Sequence, residues 1–195
     1  TLSDGFTEAN LSATPREAGN VPAALMQAGD AALNVEYRAP YLAHAPMEPM
    51  SATVLVEGGR AEVWTATQVP RFTQANVAKV LGLPDEAVHV HVQMAGGSYG
   101  QRLEDDAIRI AAEIADTVPG RPVKLTLKRE EDFATDYPRQ IAMARGMGTV
   151  ANGQVTGFDL SIAMPSVMAS QMGRQGFGAL GADAQITAGT GDQPF

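Results

Sequence analysis

Apolar and polar residues alternate with a period of two at several places in the chain. Residues 87–94 (AVHVHVQM) send Val88, Val90 and Val92 to one side and His89, His91 and Gln93 to the other, the pattern of a strand with one buried face. Residues 51–57 (SATVLVE) and 60–67 (RAEVWTAT) share it and meet across Gly58-Gly59, which predicts a hairpin. Residues 122–128 (PVKLTLK) predict a further strand. Residues 148–150 and 155–163 flank Asn152-Gly153, the strongest short hairpin signal in the chain. Near the start, residues 34–41 predict a strand through Val35, Tyr37 and Tyr41 that leads into a proline-rich turn.

Two stretches carry a helical period. Residues 70–82 open on Pro70, place Phe72, Ala75 and Val80 near one face and stop at Gly82, with Pro84 beyond; proline suits a first turn and glycine a C-terminal stop. Residues 104–118 carry an apolar stripe of Ala107, Ala111, Ile114, Ala115 and Val118, ended by Pro119-Gly120. Glu104, Asp105 and Asp106 fall in the first turn, where the helix dipole favours acids. Glu130-Glu131-Asp132 reads as another helix start, and residues 15–28 as a short or broken helix interrupted by Gly19 and Pro22. Helices interspersed with hairpins predict an α+β fold, a mixed or antiparallel sheet with packed helices. The expected organisation is an N-terminal segment with a short helix (1–33), a main body (34–165) and a Gly/Ala-rich tail (166–195). That tail is read as a linker or as a segment packing on something outside the chain.

Composition narrows the function classes. The formal net charge is −8 over 195 residues and no basic stripe carries interleaved aromatics, which argues against nucleic acid. No run approaches the roughly 20 apolar residues of a membrane-spanning helix. The absence of cysteine rules out disulfides, Cys-ligated zinc, iron–sulfur clusters and a thiol nucleophile within this chain.

The chemistry centres on the glycine loop 96–100 (GGSYG), between a strand and a helix. Glycines before a helix expose N–H groups to an anion, but the Walker lysine is missing, the G-x-G-x-x-G spacing is not met, and three acids follow. The loop reads as built for close backbone approach to a flat or weakly charged group. It also contains Gly96-x-Ser98-x-Gly100, the form of a nucleophile elbow, yet no histidine follows His91 to complete that triad order. His89 and His91 have a chelating spacing without a third ligand, and half-exposed strand polarity is the plainer reading. His44 stands in a proline-rich turn, with a catalytic role left open.

Residues 41–54 (YLAHAPMEPMSATV), 64–83 (WTATQVPRFTQANVAKVLGL) and 88–103 (VHVHVQMAGGSYGQRL), followed by 121–133 (RPVKLTLKREEDF), together resemble the molybdopterin-binding large subunit of the xanthine dehydrogenase/aldehyde oxidase family. The A-P-M-E-P run and the G-Q-R-L-E ending favour the branch of isoquinoline 1-oxidoreductase beta subunits and related bacterial aldehyde dehydrogenases. The resemblance covers residues 34–165. It implies part of a molybdenum-cofactor-binding domain in an enzyme that hydroxylates an N-heteroaromatic or aldehyde substrate with oxygen from water. The implied cofactor is molybdopterin, in its cytosine dinucleotide form, and the implied partner is a small [2Fe-2S] iron–sulfur subunit. Gln68 matches the glutamine beside the metal, and Gly97, Ser98, Tyr99, Gly100, Gln101 and Arg102 match the cofactor loop; Gln68 and Tyr99 are expected near molybdenum, with no direct metal ligand. Small residues are expected there because a Cβ would meet the cofactor.

Departures accompany the match. Ser98 and Tyr99 replace the family's glycine and phenylalanine, and Leu103 stands where the purine-oxidising branch has a glutamate. The family's catalytic glutamate and a second cofactor loop have no counterpart here, so the resemblance implies a fragment that folds without retaining cofactor. A hydrolase built on Ser98 and a non-catalytic interaction domain are the rival expectations. The compartment stays open, the bacterial periplasm being favoured over the cytoplasm.

Overall fold

The computed structural model describes residues 2–7, 9, 14 and 17–174. In chain order these form α1 (Val21–Ala28), β1 (Leu33–Ala39), β2 (Ser51–Glu57), β3 (Arg60–Thr65), α2 (Pro70–Leu81), β4 (Val88–Val92), α3 (Asp106–Asp116), β5 (Val123–Thr126), α4 (Arg129–Ala134), β6 (Ala142–Ala151), β7 (Gln154–Ala163) and α5 (Val167–Arg174). The class is α+β, as the pattern predicts. Most of the tail, 175–195, and the start of the broken-helix stretch, 15–16, lie outside the described residues.

The chain divides into two compact units: residues 43–139 form one, and the parts up to Leu42 and from Gln140 form the other. The cut falls inside the expected 34–165 body because β1 pairs antiparallel with β6, joining segments more than 100 residues apart into one sheet.

The continuous unit holds a four-stranded sheet in the order β4-β3-β2-β5. β2 and β3 are antiparallel across Gly58 and Gly59, whose φ of 58° and 75° are what a tight hairpin turn demands. β3 and β4 are parallel, a pairing no hairpin can make, and α2 forms the crossover. Alternate residues Ala52, Val54, Val56, Ala61 and Val63 face a core closed by Val77 and Ala78 of α2 and Ile108, Ala111, Ala112 and Ala115 of α3. Gly82 stops α2 in the left-handed region at φ 65°, its N–H donating to the Ala78 and Lys79 carbonyls, the expected glycine cap.

The buried face of α2 differs from the predicted stripe; that of α3 keeps Ala107, Ala111 and Ala115 as predicted and differs at the isoleucines. In α2 the buried residues are Thr73, Val77 and Ala78, whereas Phe72, Ala75 and Val80 are only half-buried. In α3, Ile108 is fully buried whereas Ile114 is 43% exposed. Small residues decide the outcome: Ala107, Ala111, Ala112 and Ala115 let α3 approach the sheet closely, and the bulky Ile110 and Ile114 are turned off that face. Val92, the last residue of the edge strand β4, is likewise 53% exposed.

The discontinuous unit is a three-stranded antiparallel sheet, β1-β6-β7. Asn152 and Gly153 adopt φ of 52° and 76° at the β6–β7 turn, as the Asn-Gly signal predicts. β6 begins at Ala142, earlier than the predicted 148, because partners on both sides order a stretch (AMARGM) with no alternation of its own. α1 packs on β6 and β7; Asn20 accepts the Ala23 N–H at 3.0 Å and so caps its first turn. Arg145, directly opposite Glu36, holds that carboxyl below its ordinary value, with Arg38 adding to the effect. Among the described residues no helix is long and apolar enough to cross a membrane.

The two isoleucines of α3 test the burial assignment. Ile108→Ala is expected to destabilise by about 2–5 kcal/mol, and Ile114→Ala by less than about 1 kcal/mol. Urea unfolding of both variants measures this, and the reverse order would contradict the packing.

Candidate functional site

In open sheets, ligands collect at the carboxyl ends of parallel strands. β3 and β4 are the parallel pair, and both release functional segments at that end. Gln68 follows β3 and the glycine loop follows β4. The pairing continues past the strands, with Gln93 N–H donating to the Thr65 carbonyl (2.9 Å) and Gln68 N–H to the Arg102 carbonyl (3.0 Å). Residues 30 apart in sequence are thereby joined, and the Ser98 hydroxyl donates to the Gln68 side-chain carbonyl in a short hydrogen bond.

The loop follows a path few side chains permit: Gly97, Tyr99 and Gly100 have φ of 97°, 57° and 107°. Residues 44–48 run alongside it, and the Gly96 and Glu48 backbones are joined by Glu48 N–H to Gly96 carbonyl (3.1 Å). A Cβ on Gly96 would lie 2.6 Å from the Glu48 Cβ, one on Gly97 3.3 Å from the Pro46 Cβ, and one on Gly100 3.3 Å from His44 Nε2. The glycines are therefore required by the protein itself. The expected collision with a cofactor is not needed to explain them.

Two buried charges hold this path. The guanidinium of Arg102, with 1% of its side chain exposed, donates to the Gly97 carbonyl through Nε (2.9 Å). Its Nη2 reaches the Glu48 carbonyl (3.1 Å) and carboxylate (3.0 Å), and Nη1 meets the Met50 sulfur. Glu48 in turn accepts the Gly96 N–H at 2.7 Å. Asp132, fully buried in α4, accepts from Met50 N–H (3.0 Å), Gln101 Nε2 (3.1 Å) and Arg129 Nη1 (2.8 Å). Arg129 extends to the Pro46 and Met47 carbonyls. The side chains of Gln101 and Arg102 thus face inward; Gln101 Oε1 is buried without a hydrogen-bond partner among the described residues. Both act on the loop's shape from beneath.

The other face presents donors. Among the described residues, the backbone N–H groups of Gly97, Ser98, Tyr99 and Gly100 have no hydrogen-bond partner, nor does Nε2 of the exposed Gln68. Tyr99 is 75% exposed. Ser98 Oγ also accepts the Arg102 N–H at 3.1 Å, so its hydroxyl is occupied on both sides and makes no bond to a histidine. The set suits a group rich in acceptors, held by neutral donors. No group of three His, Cys, Asp or Glu able to hold a metal occurs among the described residues.

The three histidines lie in two places. His91 Nε2 is 2.6 Å from Glu62 and its ring stacks on Trp64, with His89 edge-on at 4.5 Å, a polar strand face as expected. His44 pairs with Asp136 and faces Gly100. Sequence reasoning missed Glu48, Arg129, Asp132 and Asp136. Glu48, Arg129 and Asp132 lie in the runs that carry the resemblance, Asp132 being read only as part of a helix start, and nothing marked Asp136; none was given a role at the loop, because the residues they meet there are some 30 to 90 positions away.

A helix-backed sheet that presents a glycine loop of unpaired donors at the ends of parallel strands defines a cofactor-binding domain. The chain belongs to the molybdopterin cofactor-binding domain family, whose model matches residues 5–179. It is 37% identical over 102 residues to isoquinoline 1-oxidoreductase subunit beta of Brevundimonas diminuta, covering 52% of this chain and 13% of that protein. It is 29% identical over 150 residues to aldehyde oxidase 3 of Mus musculus, covering 75% and 11%. The structure of quinoline 2-oxidoreductase from Pseudomonas putida 86 matches with a TM-score of 0.57 at 21% identity, over 72% of this chain and 18% of that one. That likeness concerns the fold. The chain spans little more than a tenth of the length of these two curated relatives.

The buried charges give a direct test. Asp132→Ala orphans three donors, one of them charged, and is expected to cost about 3–5 kcal/mol. Arg102→Lys, which cannot span Gly97 and Glu48 together, is expected to cost about 1.5–3 kcal/mol. Urea unfolding reports both; unchanged midpoints would show that the network does not hold the loop.

Proposed function

We propose that this chain forms one wall of the molybdenum site in a hydroxylase acting on an N-heteroaromatic or aldehyde substrate. The observation that carries the reading is the row of unpaired N–H groups at 97–100 with the Gln68 amide beside it. Membership of the molybdopterin-binding family supports it, and the names of the isoquinoline 1-oxidoreductase and aldehyde oxidase relatives support the substrate class. When bound, the molybdenum cofactor supplies the two-electron oxidation of a substrate C–H, with the inserted oxygen coming from water.

The chain's own residues do the holding. Ser98 takes up the Gln68 carbonyl, which turns the Nε2 donor outward and fixes it. A neutral amide donates to the acceptors around a metal without changing its charge. Gly97, Ser98, Tyr99 and Gly100 supply backbone donors that neither titrate nor move, since Arg102 and Glu48 pin the loop from behind. Gln101 and Arg102 belong to the site through that frame. The cytosine dinucleotide form of the cofactor and a small [2Fe-2S] subunit as electron acceptor complete the reading. The remaining walls come from outside this chain, so the isolated 195 residues fold without retaining molybdenum.

In the assembled enzyme, metal analysis is expected to find molybdenum and molybdopterin in equal amounts, and turnover in ¹⁸O-water to label the product. Gln68→Ala is expected to lower activity or molybdenum content about 10–100-fold. Unlabelled product, or full activity without molybdenum, would sink the reading. Ser98 is expected to remain unlabelled by a fluorophosphonate probe, because its hydroxyl is committed to Gln68; stoichiometric labelling would revive a serine-hydrolase role.

A further inference from the structure

The His44–Asp136 pair has no task in the proposed wall, and it is built as a hydrogen-bonding site. Asp136, 1% exposed, binds one residue twice: His44 N–H to Oδ2 at 2.8 Å and Nδ1 to Oδ1 at 2.7 Å. A buried carboxylate accepts, so Nδ1 carries the proton and the ring is fixed in tautomer and direction. Nε2 is then the acceptor of the neutral imidazole. It has no hydrogen-bond partner among the described residues. It stands 3.3 Å from where a Cβ on Gly100 would be, at a position whose φ of 107° reserves it for glycine. The ring edge that carries Nε2 is thus held against the backbone of the loop at Gly100, and His44 itself is only 14% exposed.

We propose that His44 is a ligand-binding residue of this site. Its Nε2 accepts a hydrogen bond from an N–H or O–H group of the molecule held against the glycine loop, and Asp136 is the positioning residue that aims it. This inference rests on the cofactor reading of the loop. The shared chemistry, a donor directed at an imidazole nitrogen, fits the N–H edge of the cofactor's pterin or an N–H or O–H of the substrate.

The test uses the assembled enzyme with His44→Ala and His44→Gln, measuring molybdopterin retained after exhaustive dialysis, KM, kcat and melting temperature. If the donor is on the cofactor, His44→Ala retains molybdopterin about tenfold more weakly, the effect of one hydrogen bond. If it is on the substrate, retention is unchanged and KM rises about tenfold with kcat within about twofold. In either arm His44→Gln, which keeps an acceptor at similar reach, restores most of the loss. Parental retention and KM in His44→Ala overturn the proposal. Equal loss in both variants with a lowered melting temperature also overturns it and marks His44 as a packing residue. A parent enzyme containing no molybdopterin overturns the reading of the loop itself, and this inference with it.

Discussion

Two charges that the fold removes from water, the guanidinium of Arg102 and the carboxylate of Asp132, set the terms for everything around the glycine loop. Neither tolerates burial without partners, and the partners come from segments otherwise unrelated in sequence. Arg102 draws in Gly97, Glu48 and Met50; Asp132 draws in Met50, Gln101 and Arg129. Met50 is common to both, so the start of β2, the loop after β4 and the helix after β5 are tied at one point. The loop's uncommon dihedrals persist because these bonds over-determine them.

The glycines acquire a double role from this arrangement. Toward the protein they let residues 44–48 lie against the loop, closely enough that a Cβ on Gly96 would overlap Glu48. The N–H groups of residues 97–100 are at the same time left without a partner among the described residues. Rigidity on one side and unsatisfied donors on the other are what a preorganised binding surface requires. The Ser98–Gln68 bond extends that surface from β4 across to β3, which only the parallel pairing of these two strands allows.

Local pattern foretold most of the elements. Gly58-Gly59 and Asn152-Gly153 announced their hairpins, Pro70 and Gly82 the ends of α2, and strict alternation the strand at 88–92. Such features were legible because each depends on residues within a few positions of one another. The helix faces were legible only in part: the predicted stripe of α3 set Ile114 beside Ala107, Ala111 and Ala115, whereas the structure buries Ile108 and Ala112 with those alanines. The parallel crossover between β3 and β4 and the pairing of β1 with β6 were not legible, since no local signal encodes a partner some 25 or 110 residues away.

By itself the sequence determined the element types, the α+β class, the family and the loop at 96–100 with Gln68 as its companion. The elements, the class and the loop follow from spacing and turn chemistry; the family and the place of Gln68 follow from the resemblance of several runs to a known family. Tertiary structure alone decided that Arg102 and Gln101 turn inward, that the glycines answer to Glu48, Pro46 and His44, and that Asp136 orients a histidine beside Gly100. The physical reason is that a buried charge or an oriented ring is defined by its partners. Here those partners meet only when strands distant in the chain lie side by side.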